Sequence, residues 1–324
     1  MHVVGESFNE VYNQLAQMLR DDAQYTASPR GMKIKETLGV SFRITNPRHR
    51  GIFNPARKFK NSYVVAEALW YLSGNDRTDW ISYYAPFWKD ISDDGVTANS
   101  AYGARIFEPH DIVAGGRFIQ WQWVINELKR DPDSRRAIIH IKTASDSLDA
   151  KKDVPCTLAL QFMIREGKLH LVVNMRSSDL ILGIANDIPA FTLFQEVMAY
   201  ELGVELGEYI HVSNSLHVYE RHWNKLDKMC LPENVGVSQM MAKRIGANPP
   251  IPSAPPIPVL LDHESNIRDT HNLGELKAYV EGLDDVPYWS DWVKMLASHR
   301  ASVLGDKKLS AAFAADTFMQ GGFR

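Results

Sequence analysis

DVPCTLALQFMIREGKLHLVVNMRSSDLILGIANDIPAF (153–191), read on to HVSNSLHVYERH (211–222), is the part of this chain that decides its fold. LALQFMI (158–164) and LHLVVNM (169–175) flank a short Arg-Glu-Gly-Lys turn, a pattern that predicts a β-hairpin. PAFTLFQEVMAYEL (189–202) predicts a buried helix, with Asp187 near its start, where an aspartate ordinarily serves as a cap. YIHVSNSLHVY (209–219) predicts a further strand, and its period of two sets His217 and Tyr219 on one face. Chemistry gathers at the ends of these elements. Cys156 precedes the first strand of the hairpin, and Arg176, Ser177 and Asp179 follow the second in a cluster that suits a phosphate.

Working outward, residues 6–20 place Phe8, Val11, Tyr12, Leu15, Met18 and Leu19 at helical spacing. ASPRGMKIKETLGVSFRI (27–44) mixes a Pro-Arg-Gly turn with strand-like alternation; Arg30 in that turn is either solvated or placed to reach a phosphate. NSYVVAEALWYLSG (61–74) predicts an apolar helix ended by Gly74, and its Glu67 reads most simply as a solvent-face residue. The segment 87–107 is turn-rich, with Trp88 and Tyr102 suited to packing or to lining a cleft. FIQWQWVINELKR (118–130) predicts a helix that Pro132 stops. Arg135 and Arg136 then open the strand-like run AIIHI. Neighbours on a strand face opposite ways, so a solvated role stands beside a subunit boundary or an anion site.

After Leu231 the character changes. NPPIPSAPPIPV (248–259) holds six prolines and predicts an extended connector, and 273–283, 288–304 and 308–319 predict short helices docked on the main body. The expected division is therefore 1–231 and 232–324. Over 324 residues, apolar residues make up 45% and charged residues 23%, the range of an ordinary globular chain. A net charge of −3 disfavours a surface that coats nucleic acid. Two cysteines cannot build a disulfide scaffold, and no metal-ligand spacing appears. Neither a leader segment nor a long apolar run is visible, so a cytoplasmic protein, in a bacterium or a phage-infected cell, without membrane or nucleic-acid partners is expected.

In this order, the residues resemble the thymidylate synthase superfamily: Arg30 after a polar turn, EALWYLSG (67–74), FWKDI (87–91), AYG (101–103), DPDSRR (131–136), Pro155-Cys156, MRSSD (175–179), Leu182-Gly183 and LHVY (216–219). A single such motif says little; the ordered set spans residues 6–231. The resemblance implies an α/β fold with a large mixed β-sheet, helices on one face and a two-fold dimer interface on the other. It also implies a catalytic domain at 1–231, a nucleotide and 5,10-methylenetetrahydrofolate as small-molecule substrates, and no metal.

Departures from the synthase pattern point to a branch. Where synthases carry Pro-Phe-Asn after the Leu-Gly pair, this chain has Ala185, Asn186 and Asp187. An amide both donates and accepts, which suits uracil; an ionised carboxylate only accepts, which suits the 4-amino group of cytosine. NMRSSD with an Asn-Asp pair eight residues on, threonine after Cys156, and SLHVYERH (215–222) resemble the phage deoxycytidylate 5-hydroxymethylases. Ile91 stands where synthases place a second tryptophan, and the C-terminal region does not match the tail that seals a synthase for hydride transfer. Loss of those closing elements fits a reaction that ends with water.

By resemblance, Cys156 is the nucleophile toward C6 of the pyrimidine, with Arg176 expected to lower its thiol pKa. Glu67 handles water and protons and helps hold the folate, Asp187 holds the base, and Tyr102 aids removal of the C5 proton. Arg30, Arg176 and Ser177 bind the phosphate, joined across the dimer by Arg135 and Arg136. Asp179 contacts substrate and folate, His217 and Tyr219 the sugar hydroxyl, and Trp88 the pterin or base. Ser177 and Ser134 agree with a deoxynucleotide. The expected reaction converts dCMP to 5-hydroxymethyl-dCMP with release of tetrahydrofolate. Its rivals are a CMP hydroxymethylase, a reductive dCMP methylase or thymidylate synthase, and a non-catalytic binding protein on the same fold.

Overall fold

The computed structural model describes residues 2–58, 60–112, 116–147, 151–245, 257–283, 289–315 and 317. Its centre is a mixed sheet whose strands run, side by side, His2–Gly5, Ile34–Ile44, Glu205–Tyr219, Lys168–Met175, Thr157–Arg165 and Ile138–His140. Short strands Tyr25–Ala27 and Ser178–Asp179 pair with Ile34–Ile44 and Glu205–Tyr219. The hairpin forms as expected, and Glu166 and Gly167 at its tip both have positive φ, as a two-residue turn of matching twist requires.

Strand register shows how the faces divide. Ile44, Tyr209, Leu171 and Phe162 lie opposite one another across four strands, and all are fully buried. The next row, Arg43, Ile210, Val172 and Gln161, points the other way and is half-buried throughout. The buried face is covered by helices, chiefly Phe8–Asp21 on the Ile34–Ile44 strand and Ile184–Leu202 on the centre. The α/β class and the mixed sheet thus match the expectation.

Several local readings change. The central helix starts at Ile184, with Gly183 at its cap position and no side-chain cap, so Asp187 lies inside the first turn and caps nothing. Pro189 sits within that helix, where its ring gives up one backbone bond. The turn-rich 87–107 contains two short helices, Trp88–Ile91 and Tyr102–Phe107. Residues 248–256 of the proline-rich stretch lie outside the described residues, but Ile257–Asp269 is a helix. Pro258 is tolerated there because the first helical turn has no bond for its missing N–H to make.

Beyond it, Leu273–Glu281, Ser290–Val303 and Lys307–Ala315 are helices, and Ser290–Val303 packs on Asn61–Leu72. Leu260, Trp292, Met295 and Leu296 belong to the same continuous apolar cluster as Phe8, Val65 and Phe194.

Gly103 allows one close approach on which the site depends. A Cβ there would lie 2.0 Å from the Tyr71 carbonyl oxygen, so only glycine lets the Tyr102–Phe107 helix meet the Asn61–Leu72 helix backbone to backbone. That contact stacks Tyr102 on Tyr71, ring centroids 5.0 Å apart. Gly103→Ala should therefore cost about 1–3 kcal/mol in urea unfolding and displace Tyr102 from the cavity described next.

Candidate active site

At one end of the sheet a cavity of about 740 Å³ is bounded by the strand end carrying Cys156, the Arg176–Asp179 cluster, the start of the central helix and the inner face of the Asn61–Leu72 helix. Cys156, Glu67, Asp187, Tyr102, Arg30, Arg176, Ser177, Asp179, His217, Tyr219 and Trp88 all line it. Eleven residues chosen along 190 positions of chain meet in one space. Arg135 and Arg136 do not; both are exposed on the approach to the Ile138–His140 strand, outside this cavity. Ser134 is also elsewhere, its hydroxyl donating to Glu127 at 2.6 Å.

The hairpin delivers the cysteine. Register slips between Thr157 and Ala159, the kind of irregularity that re-aims a strand end. Arg176 then ties the two strand ends together: its backbone N–H donates to the Cys156 carbonyl (2.9 Å), its Nε to Pro155 O (2.9 Å) and its Nη2 to Val154 O (2.8 Å). The same Nη2 lies 3.7 Å from Cys156 Sγ. Arg176 does pull the thiol pKa down, yet burial outweighs it, and with Asp187 and Asp153 nearby the net direction is upward. The expected depressed thiol is thus corrected: in the free protein Cys156 is held as the thiol.

Glu67 faces inward, 5% exposed, which overturns its solvent-face reading. Its Oε1 accepts from Tyr63 Oη at 2.6 Å, and that hydroxyl in turn accepts from Trp88 Nε1 at 3.1 Å. Its Oε2 is buried and makes no well-formed hydrogen bond among the described residues, although the Tyr71 hydroxyl lies near the carboxyl. Asp187, 7% exposed, makes no side-chain hydrogen bond among the described residues. Burial, reinforced by Asp179, pushes Asp187 up to about 7. Burial and then the charge on Asp187 push Glu67 up to about 8, opposed by the Tyr63 and Tyr71 hydroxyls. The two carboxyls share one desolvated space and so titrate as a coupled pair.

Asp179 accepts the Ile181 N–H on Oδ1 (2.7 Å), while its buried Oδ2 has no hydrogen-bond partner among the described residues. His217 pairs with Asp179 across adjacent strands, and its ring stands edge-on to Tyr219, centroids 5.3 Å apart. Arg30 adopts a left-handed conformation (φ 53°) and is exposed at the rim. Tyr102 is buried, and that burial raises its phenol well above the ordinary value, so it stays neutral and can relay but not hold a proton. Among the described residues no group of three or more His, Cys, Asp or Glu is arranged for a metal, and no helix is long and apolar enough to cross a membrane.

Sequence reading missed Tyr63, Asp153 and Lys60. Tyr63 was detectable, lying four residues before Glu67 and hence on the same helix face. Asp153, whose Oδ2 accepts the Ser100 N–H at 2.8 Å, ties the AYG turn to the cysteine segment over a separation that leaves no local trace.

Two outcomes follow. Tyr63→Phe removes a donor to the Glu67 carboxylate, so the limb of the pH–rate profile set by Glu67 should move to higher pH. Raised carboxyl pKa values also mean that the folded chain retains protons the unfolded chain releases. That contribution to stability is complete below the unfolded values and is lost as pH climbs through about 7 and about 8. Glu67→Gln should accordingly raise the melting temperature of ligand-free protein at pH 9 and leave it nearly unchanged at pH 5.

Comparison with known proteins agrees with this geometry. The family model described as thymidylate synthase matches residues 10–245. The deoxyuridylate hydroxymethyltransferase of Bacillus phage SP01 is 36% identical over 207 residues, covering 59% of this chain and 52% of that protein. Thymidylate synthases of Bacillus phage phi3T and Bacillus subtilis (strain 168) are each 33% identical over 158 residues, 49% of this chain and 56% of theirs. The chain therefore spans little more than half the length of these relatives. With the match extending over most of its residues and the cavity built from the same segments, this chain belongs to the thymidylate synthase family.

Proposed function

We propose that the chain is a pyrimidine-nucleotide 5-hydroxymethylase that converts dCMP and 5,10-methylenetetrahydrofolate to 5-hydroxymethyl-dCMP and tetrahydrofolate. The observation that carries this reading is Asp187: a buried carboxyl that makes no side-chain hydrogen bond among the described residues, lining the same cavity as a thiol. A buried polar group left unpaired by the protein is one that a ligand completes. Domain 1–231 does the chemistry, and 232–324 is an added helical region.

C5 of cytosine is a poor nucleophile until a group adds at C6. Cys156 does this: its sulfur bonds C6 as its thiol proton passes to N3, and ionised Asp187 accepts from the 4-amino group and from the N3–H so formed. The folate supplies a methylene at the formaldehyde oxidation level. Once C5 has taken that carbon and lost its proton, with Tyr102 as relay, an exocyclic methylene remains on the ring. Glu67, held by Tyr63, directs water onto it, and expulsion of Cys156 completes the reaction. One CH2O is added in all, and no oxidant or reductant is required.

Arg30, Arg176 and Ser177 bind the phosphate; the Nη1 of Arg176 makes no protein hydrogen bond among the described residues and is left for it. Arg135 and Arg136, exposed outside the cavity, reach the phosphate of a second copy in a two-fold dimer. His217 and Tyr219 take the sugar hydroxyl. For the folate, Asp179 Oδ2 and Glu67 Oε2, buried without a well-formed hydrogen bond among the described residues, fit the N–H groups of a pterin, with Trp88 against its ring.

A second reading, dUMP as substrate, has support of its own. The phage SP01 relative is named for deoxyuridylate, and a neutral carboxyl, like an amide, offers uracil both a donor and an acceptor. Only the ionised form rejects O4. Because Asp187 ionises near pH 7, the ratio of kcat/KM for dCMP over dUMP should rise between pH 6 and pH 8. Asp187→Asn should abolish that rise and favour dUMP. A flat ratio in both proteins would remove Asp187 as the selector.

Incubation with dCMP, CMP or dUMP and the folate, followed by mass measurement, tests the reaction itself. A gain of one CH2O with tetrahydrofolate as product is expected, and dihydrofolate would instead mark reductive methylation. Cys156→Ala should abolish tritium release from C5, and retained release would exclude the thiol adduct.

A further inference from the structure

The chemistry above uses nothing beyond Tyr219, yet the C-terminal helices close on two adjacent residues next to the cavity. Tyr84, fully buried, donates to Glu264 Oε1 at 2.7 Å, and the other oxygen of Glu264 pairs with Arg268 at 3.1 Å. His299 Nε2 donates to the Tyr83 carbonyl at 3.0 Å, and its ring lies against both tyrosines, centroids 5.0 and 4.8 Å away. Arg300 donates to the Tyr83 hydroxyl (3.3 Å) and also to the Thr270 carbonyl. From the cavity side, Lys60 Nζ donates to the Tyr84 carbonyl at 2.8 Å.

Glu264 is only 1% exposed at its side chain, and an unpaired carboxylate there would be costly. Its place is therefore defined by Tyr84 and Arg268 together.

From Tyr84 the chain passes directly into the cavity wall. Trp88 N–H donates to Ala85 O (3.2 Å), and Phe87 and Trp88 line the cavity. Trp88 Nε1 donates to Tyr63 Oη, which donates to Glu67 Oε1. A continuous series of contacts thus runs from Glu264 and His299, through Tyr83–Tyr84 and Trp88, to the carboxyl assigned to water.

We propose that Glu264, His299 and Arg300 are positioning residues for the reaction: the C-terminal helices brace Tyr83 and Tyr84, and so set Trp88 as the folate wall and, through Tyr63, the carboxyl of Glu67. The proposal rests on the functional reading above. It separates two halves of the site, because the phosphate and sugar contacts lie on the strand ends, which this brace does not touch.

The test compares Glu264→Ala, Tyr84→Phe and Glu264→Gln with the wild type in four measurements: kcat, KM for methylenetetrahydrofolate, Kd for dCMP by calorimetry, and the pH–rate limb of Glu67. Glu264→Ala and Tyr84→Phe should lower kcat over folate KM about tenfold, the scale of one lost hydrogen bond to a charged group. They should also shift the Glu67 limb and leave the Kd for dCMP within about twofold of wild type. Glu264→Gln, which keeps an acceptor for Tyr84, should recover most of the loss.

Unchanged folate kinetics in folded Tyr84→Phe protein would overturn the proposal, as would equal weakening of nucleotide and folate. Tyr84→Phe removes one hydroxyl and serves if Glu264→Ala does not fold. Should wild-type protein turn over no pyrimidine nucleotide, the functional reading fails by itself. Titration of tetrahydrofolate in the presence of dCMP then decides the brace, with weaker binding to Tyr84→Phe supporting it. Equal binding, or none to either protein, overturns it.

Discussion

Two carboxyl groups buried in the wall of one cavity govern this structure. Charging either Glu67 or Asp187 means stripping water from an anion, and charging the second means doing so beside the first. The fold meets this by leaving both groups able to stay protonated near neutrality and by giving them few protein partners. Among the described residues Glu67 holds a short bond from Tyr63 on one oxygen and no well-formed bond on the other, and Asp187 makes no side-chain hydrogen bond. When empty, a site of this kind loses stability as pH climbs through the raised values of its two carboxyls.

The sheet turns that chemistry into geometry. Hairpin, bulge and crossover bring Cys156, Arg176 and His217 to neighbouring strand ends, and Arg176 uses two of its nitrogens on backbone carbonyls before any is left for a ligand. Its first duty is to hold the cysteine segment in place. Its effect on the thiol is secondary and loses to burial. Cys156 is therefore held as the thiol in the ligand-free protein.

The hairpin, the shared face of His217 and Tyr219, and the gathering of eleven site residues were legible in the sequence, because period-two alternation and turn residues act locally and the ordered motifs did the rest. Periodicity alone turned Glu67 outward, since the Asn61–Leu72 helix is apolar on every side and names no outward face; only the family resemblance set it among the site residues. Position alone read Asp187 as a cap, which aspartate near a helix start ordinarily is; the resemblance set it against the base instead, and the structure shows that it caps nothing. Arg135 and Arg136 stand outside the cavity of a single chain, on the irregular segment before the Ile138–His140 strand, and no local pattern in the sequence says which chain's cavity they serve. The contacts of Glu264 and His299 with Tyr84 and Tyr83 join residues about 200 positions apart, and no local pattern encodes such a pairing.

The continuous apolar cluster has one more implication. Trp292, Met295 and Leu296 pack into the same interior as the residues behind the sheet, so the outer side of the Asn61–Leu72 helix is itself core. A shorter homologue without these last helices would have to present that surface to water, and its sequence there should carry polar substitutions on the flank opposite Glu67. The length of such a relative would then be readable from a dozen residues in its first quarter, far upstream of the segment it lacks.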